Sequence, residues 1–187
     1  MPWLDSESNR LTFFGLLAPG PGQKILDVGA GWGAVADMVR ANGDSEVHAV
    51  DPDRKRVERM REAFPLVLSC RADSEHLPYR DSLFDKLYST MAFHHFPDRR
   101  KSLEEFARVL RPGGTLLIAE IQPHSAQGRF LRFFENGVMR SHLGFLDMEA
   151  LVGMQKEGDR FGIESATKAS YLYFVHAKKR QEGPKWP

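Results

Sequence analysis

Asp27-Val28-Gly29-Ala30-Gly31-Trp32-Gly33 places three alternate glycines just behind a carboxylate. Glycines so spaced let a chain turn sharply and bring its main-chain atoms against a ligand. Ordinary strand-to-helix turns also use glycine, but three alternate ones at a first crossover are better explained by a ligand site. Gly29, Gly31 and Ala34 also satisfy the G-x-G-x-x-G/A dinucleotide pattern, with Asp51 standing about 20 residues on, where a ribose-binding acid belongs. Asp27 separates the possible ligands. A carboxylate pointed into the turn repels a pyrophosphate and attracts a cation. S-adenosylmethionine carries an ammonium and a sulfonium but no phosphate, so the charge argument selects this methyl donor over NAD.

Two more acids fall at the ends of successive apolar runs. Asp51 closes the run Glu46 to Val50 and can accept both hydroxyls of a ribose, since a carboxylate offers two acceptor oxygens. Its plainer use is as a helix cap or turn acid, a part that Asp53 could fill instead. Asp73 follows the run Leu66 to Ser69, in Arg71-Ala72-Asp73-Ser74, and could accept from an adenine amino group or serve a turn. Together, one acid at the carboxyl end of each of three strands converges on the crevice where open α/β sheets bind ligands. His94 and His95 follow the fourth strand, where an imidazole with a pKa of about 6.5 suits a general base. Packing or a bond to backbone is the ordinary use of such histidines, and it ranks ahead of catalysis for each. His124 is a third candidate, behind these two.

Alternating elements must position these residues. Lys24 to Val28 is a short apolar run that predicts a strand buried on both faces. Ala34 to Ala41 carries Val35, Met38 and Val39 at helical spacing and stops at Asn42-Gly43. Asp53 can cap a helix striped by Val57, Met60 and Phe64, and Asp98 one carrying Leu103, Phe106, Ala107 and Leu110. Phe84 to Ser89 reads as the fourth strand and, after the break Pro112-Gly113-Gly114, Thr115 to Ile121 as the fifth. The order predicts an α/β, doubly wound, mainly parallel sheet, because parallel neighbours need crossover helices. Ser125 to Met139 and Asp147 to Lys156 read as helices, then Ile163 to Ala166 and Tyr171 to Ala177 as closing strands. The link Thr167-Lys168-Ala169-Ser170 is too short for a crossover, so this last pair is expected to be antiparallel. Leu4 to Leu17 is expected to form one helix with Leu11, Phe14 and Leu17 on a face.

The 187 residues suit a single domain. It divides into an amino-terminal cap over 1–20, a donor-binding core over 24–121, a helical lid or substrate segment over 122–160, closing strands over 161–177 and a tail over 178–187. The 26 Lys and Arg against 25 Asp and Glu leave a formal charge of +1, which gives no overall field for nucleic acid or anionic lipid. A single cysteine, Cys70, permits no intrachain disulfide and no cysteine-built metal site, and no metal is expected. No apolar run approaches the ~18–20 residues of a membrane span, and the start has no basic region followed by an apolar core. The expectation is a cytoplasmic chain.

The chain resembles the class I S-adenosylmethionine-dependent methyltransferases, specifically the small-molecule branch called methyltransferase type 11. The likeness runs from Lys24 to Glu120. It rests on Ile25-Leu26-Asp27-Val28-Gly29-Ala30-Gly31-Trp32-Gly33, Val50-Asp51-Pro52-Asp53 and Ala72-Asp73-Ser74-Glu75-His76-Leu77-Pro78-Tyr79. It continues through Phe84-Asp85, Met91-Ala92-Phe93-His94-His95-Phe96 and Arg108-Val109-Leu110-Arg111-Pro112-Gly113-Gly114, in the family's order and spacing. The resemblance implies a seven-stranded, Rossmann-like sheet with a late antiparallel hairpin. It also implies that the acid matching Asp27 helps hold the donor's methionine amino group, often through water. Gly29, Gly31 and Gly33 would line the methionine and ribose, with Ala30 and Pro52 in the same cofactor-binding set. Asp51 would bind the ribose hydroxyls, Asp73 with Ser74 would meet the adenine, and the main chain around Thr90 and Met91 would flank the methionine portion.

Methyl transfer from a sulfonium is an in-line displacement with a good leaving group. The protein must chiefly place the acceptor atom ~3–3.5 Å from the methyl carbon and exclude water. Phe130, Phe133, Phe134 and Phe145, interleaved with Arg129, Arg132 and Arg140, are expected to pack on the sheet, with Phe130 and Phe134 shared with a substrate pocket. The fourth strand ends Ser89-Thr90-Met91-Ala92, without the Asn/Asp-Pro-Pro-aromatic motif that positions planar amino groups. A small organic acceptor at oxygen, nitrogen or carbon remains, with S-adenosylhomocysteine as the product and the chain a monomer or homodimer. The rivals are a macromolecular methyltransferase acting on protein or RNA, a non-catalytic donor-binding module and, last, a NAD-dependent oxidoreductase.

Overall fold

Four of the five residues of Lys24–Val28 are buried. Ile25 packs into the core on one side of the sheet and Leu26 into the core on the other, and this two-sided burial makes the strand a central one. The structure, a computed structural model, describes residues 6–130 and 146–181. Its elements are α1 (Glu7–Leu17), β1 (Lys24–Val28), α2 (Ala34–Gly43), β2 (Glu46–Asp51), α3 (Arg54–Ala63), β3 (Leu68–Arg71) and β4 (Phe84–Thr90). A 3-10 turn (Phe93–His95), α4 (Arg99–Val109), β5 (Leu110–Ile121), α5 (Met148–Glu157), β6 (Phe161–Ala169) and β7 (Leu172–Lys179) follow. Residues 126–130 are also helical; the remainder of the expected Ser125 to Met139 helix lies outside the described residues, as do residues 1–5 of the amino-terminal segment.

The seven strands lie in the order β3-β2-β1-β4-β5-β7-β6. β1 to β5 are parallel, and β7 runs antiparallel to both β5 and β6. The order reverses between β1 and β4, so the carboxyl ends of these two strands frame the switch point where such sheets take ligands. One face of the sheet carries Phe13 and Leu17 of α1, Val35 and Val39 of α2 and Met60 of α3, packed on Ile25, Ala49, Tyr88 and Leu117. The other carries Leu103 and Phe106 of α4 and Leu151 of α5, packed on Leu26, Val50, Leu87 and Ile118. The α/β doubly wound sheet with its antiparallel end is thus present as expected. No described helix is long and apolar enough to cross a membrane.

Local chemistry sets the ends of the elements. Asp53 caps α3, its Oδ1 accepting from the backbone N–H groups of Lys55 and Arg56 at 2.8 and 3.2 Å, and Asp98 caps α4 through the Lys101 N–H at 3.0 Å. Lys86, on β4, donates from Nζ to the carbonyls of Leu17, at 2.6 Å, and Ala18. A cation there meets the exposed carbonyls at the end of α1 and ties that helix to the sheet.

Three boundaries differ from expectation. β3 begins at Leu68 rather than Leu66, because the Val67 N–H closes a turn on the Phe64 carbonyl at 3.0 Å and leaves Leu66 exposed. β5 begins at Leu110, ahead of the Pro112-Gly113-Gly114 break, because those residues form an irregularity in the ladder with β4 instead of ending it: Phe84 pairs Leu110 while Lys86 pairs Thr115. The closing hairpin is tighter than expected, with Ala169 paired to Leu172 across a two-residue turn in which Ser170 takes φ 49. Replacing Lys86 with Met removes both bonds to α1, and we expect urea unfolding to report a loss of about 1.5–3 kcal/mol, the range for hydrogen bonds to a charged group.

Candidate functional site

A cavity of about 880 Å³ opens over the carboxyl ends of β1, β2 and β4 and the loop after β3. Gly29, Ala30 and Gly31 form one wall, Asp51 and Pro52 a second, Asp73 and Ser74 a third, and Thr90 and Met91 a fourth. The chain thus brings most of the sequence-derived donor residues around one space. Gly31 sits at φ 57, and a side chain placed there would meet nothing within 4 Å, so its main chain faces open cavity. Gly33 is different. It is absent from the cavity wall and is glycine because it begins α2 at φ 83, where an added Cβ would lie 2.3 Å from Met60 Cγ. Its expected place in the donor set is therefore corrected to a packing role against α3.

Asp51 is 2% exposed and tightly held. Its Oδ2 accepts from the Gly31 N–H at 2.8 Å and its Oδ1 from the Asp53 N–H at 2.9 Å, while Arg56 Nη1 stands 3.7 Å from Oδ2. Each oxygen keeps further acceptor capacity for a ligand hydroxyl. Asp73 is exposed on the wall. Ser74 lines the wall, but its hydroxyl lies 2.8 Å from Ser102 Oγ, whose own proton goes to the Asp98 carbonyl at 2.9 Å. Ser74 Oγ then donates toward α4, so its proton is committed and the oxygen keeps only acceptor capacity. Met91 holds φ 52 without being glycine, its N–H donating to the Ala119 carbonyl at 2.9 Å. Unfavourable backbone of this kind gathers at ligand clamps.

The two histidines separate. His95 stands on the cavity wall and is exposed to it, whereas His94 is 4% exposed behind it. Crowding by the surrounding walls, then the neighbouring His94 ring with its centroid at 4.1 Å, pushes the His95 pKa down to about 4, with Arg56 adding to the effect and Glu120 opposing it. His95 is uncharged at neutral pH. His94 Nδ1 lies 2.7 Å from Glu120 Oε2, and its backbone N–H donates to Glu120 Oε1 at 3.3 Å. Glu120, itself 3% exposed at the end of β5, was missed in the sequence. The rule that singled out Asp51 and Asp73, an acid at the carboxyl end of a strand, would have found it. Arg56 and Trp32, the latter 53% exposed, also line the cavity; Trp32 stands inside the quoted glycine motif without having been given a part in the site, and Arg56 lies one turn after Asp53.

Asp27 departs furthest from expectation. It is fully buried behind the Gly29 turn and is not part of the cavity wall. Neither of its oxygens nor the Tyr88 hydroxyl makes a hydrogen bond of ordinary geometry. Burial pushes the Asp27 pKa up to about 8, the nearby Tyr88 hydroxyl opposing and the Asp51 charge adding. Burial thus disfavours the negative charge that the sequence reading placed on Asp27. Phe130 is 70% exposed at the end of the described stretch, and Phe134 lies outside the described residues. Among the described residues no group of three His, Cys, Asp or Glu side chains is placed to hold a metal ion.

The residues present fit the methyl donor: a main-chain opening at Gly31, a fixed two-oxygen acceptor at Asp51, and an orphaned buried acid behind the turn. Residues 26–118 match the family model of a methyltransferase domain. Methyltransferase GfsG of Streptomyces halstedii is 38% identical over 106 residues, covering 54% of this chain and 38% of that protein. The 27-O-demethylrifamycin SV methyltransferase of Amycolatopsis mediterranei is 34% identical over 125 residues, covering 63% of this chain and 46% of that protein. The chain thus spans less than half the length of these relatives. A solved S-adenosylmethionine-dependent methyltransferase from Mesorhizobium loti superposes with a TM-score of 0.79 at 18% identity, over 94% of this chain and 100% of that one, a likeness of fold. From its glycine turn through the Pro112-Gly113-Gly114 segment, the chain belongs to the class I S-adenosylmethionine-dependent methyltransferase family.

Proposed function

We propose that the chain binds S-adenosylmethionine in the 880 Å³ cavity and transfers its methyl group to a small organic acceptor. The observation that carries this reading is Asp51, locked by the Gly31 and Asp53 amides with acceptor capacity to spare beside an open main-chain wall. Bound there, the donor supplies an electrophilic methyl carbon on a sulfonium. The chain's own part is to position and to exclude water. Asp51 holds the ribose hydroxyls, Asp73 and Ser74 hold the adenine side, and Thr90 and Met91 flank the methionine side. His95, neutral and exposed to the cavity, accepts a proton from an acceptor hydroxyl at a ring nitrogen. Glu120 fixes the His94 ring through Nδ1, and the His94 ring, tilted 40° to that of His95 with centroids 4.1 Å apart, packs against it and sets its orientation. The name of the rifamycin relative places its methylation at an oxygen, and an oxygen of a small molecule is the acceptor favoured for this chain. A macromolecular acceptor is the alternative, and labelling of protein or RNA from a cell extract with tritiated donor would favour it.

Calorimetry tests the ligand assignment. S-adenosylmethionine and S-adenosylhomocysteine are expected to bind and NAD to give no heat; tight NAD binding with silence from the other two rejects the assignment. Asp51→Ala is expected to weaken donor binding at least tenfold, about 1.4 kcal/mol, and Ser74→Ala to lower stability by about 1 kcal/mol. With an acceptor found by screening metabolites against labelled donor, the acid limb of kcat/KM should fall near pH 4, where His95 takes up a proton and ceases to be a base. An acid limb near 6.5, the ordinary imidazole value, would remove His95 from that role.

A further inference from the structure

Helix α3 carries four arginines, and three of them are spent on the chain itself. Arg54 Nε donates to Glu58 at 2.7 Å, Arg59 reaches Glu62 at 3.3 Å, and Arg61 donates to the Ser69 carbonyl. Arg56 is the exception. Its guanidinium makes no hydrogen bond among the described residues, and its one ion pair there is with Asp51 Oδ2, 3.7 Å from Nη1. The two acids beside it are already occupied. Asp51 accepts from the Gly31 and Asp53 amides, and Asp53 from the amides of Lys55 and of Arg56 itself.

This unspent group stands on the cavity. Arg56 is the only Arg or Lys among the described residues that line it, and its side chain is 47% exposed. Its charge also reaches His95, on the same cavity. A guanidinium is planar and always charged, and its N–H groups form a fork that fits a carboxylate through two parallel bonds. The donor assigned to the cavity carries a net positive charge, so a fixed cation on the wall does not serve it by charge and points to a second, negative ligand. Apolar surface lies alongside. Of the large apolar side chains left exposed among the described residues, Trp32 alone lines the cavity, and Phe96 and Pro97 line it too. A flat apolar body can lie against such rings.

We propose that Arg56 determines specificity for the acceptor, and that the acceptor is a flat organic acid held by Arg56 through a carboxylate. The inference rests on the methyl-transfer reading above and names its class of substrate. Two guanidinium N–H groups donate to the carboxylate, which keeps its charge throughout. The apolar body lies toward Trp32, and the hydroxyl to be methylated turns to His95. A neutral analogue leaves the fork to water and loses the charge-assisted bonds.

Calorimetry of the full chain saturated with S-adenosylhomocysteine, titrated with benzoate and then with benzamide, tests this. The two probes share a ring and differ in charge. Benzoate is expected to bind the parent roughly tenfold more tightly than benzamide, the scale of hydrogen bonds to a charged group. Arg56→Gln should abolish that preference, and Arg56→Lys, which keeps the charge without the fork, should retain part of it. Benzoate no tighter than benzamide on the parent, or neither probe binding beside S-adenosylhomocysteine, overturns the proposal and leaves the donor assignment standing. A preference that survives in Arg56→Gln also overturns it. The affinities of S-adenosylhomocysteine and of 5′-methylthioadenosine, which lacks the amino acid, then show what the guanidinium serves: the donor's own carboxylate if only the first is weakened, Asp51 if both are. Failure of S-adenosylhomocysteine to bind the parent removes the donor assignment and the proposal with it. The comparison of the two probes on the parent chain needs no variant to fold.

Discussion

The carboxylate of Asp51 is held by two amides from different parts of the chain, Gly31 in the turn after β1 and Asp53 at the start of α3. That pair of bonds closes the carboxyl ends of β1 and β2 and the amino end of α3 into one piece. Each group in it is tied twice. Asp53 both donates its backbone N–H to Asp51 and caps α3 with its side chain, and α3 in turn presses Met60 against the space over Gly33. A ligand meeting Asp51 therefore meets a group that has no rotamer freedom left to lose, which is what preorganisation requires.

Much of this frame was legible in the residues. Asp53 and Asp98 cap the helices their spacing marks, and the apolar runs end where acids begin, so the alternation of strands and helices and the antiparallel last pair followed from pattern, while the seven-stranded sheet came from the family resemblance. What pattern could not supply was direction. A glycine triplet shows that backbone must come close to something, but not whether it faces open cavity, as at Gly31, or another side chain, as at Gly33. An acid after an apolar run marks a strand end, but whether it looks into the cavity as Asp51 does, or back into the core as Asp27 does, depends on the two-residue alternation of the strand and on what packs over each face.

The histidine pair makes the same point. Adjacent side chains with the same chemistry are sent to different environments by a single turn of 3-10 helix, one to a buried carboxylate and one to open cavity. The low pKa of His95 follows from those surroundings and not from the imidazole. Boundaries shifted for related reasons: the Phe64 to Val67 turn delays β3, and Pro112-Gly113-Gly114 is absorbed as a kink because β4 offers it a ladder to rejoin.

Glu120 sits opposite Tyr173 in the β5–β7 ladder, and the Tyr173 hydroxyl donates to the Leu146 carbonyl at 2.9 Å. One cross-strand rung thus separates the carboxylate bonded to His94 from the place where the chain comes back to α5. The Asp51 end of the cavity lies three strands away, across β1 and β4, and Arg56 is the residue that stands between the two ends, 3.7 Å from Asp51 and close enough to act on His95.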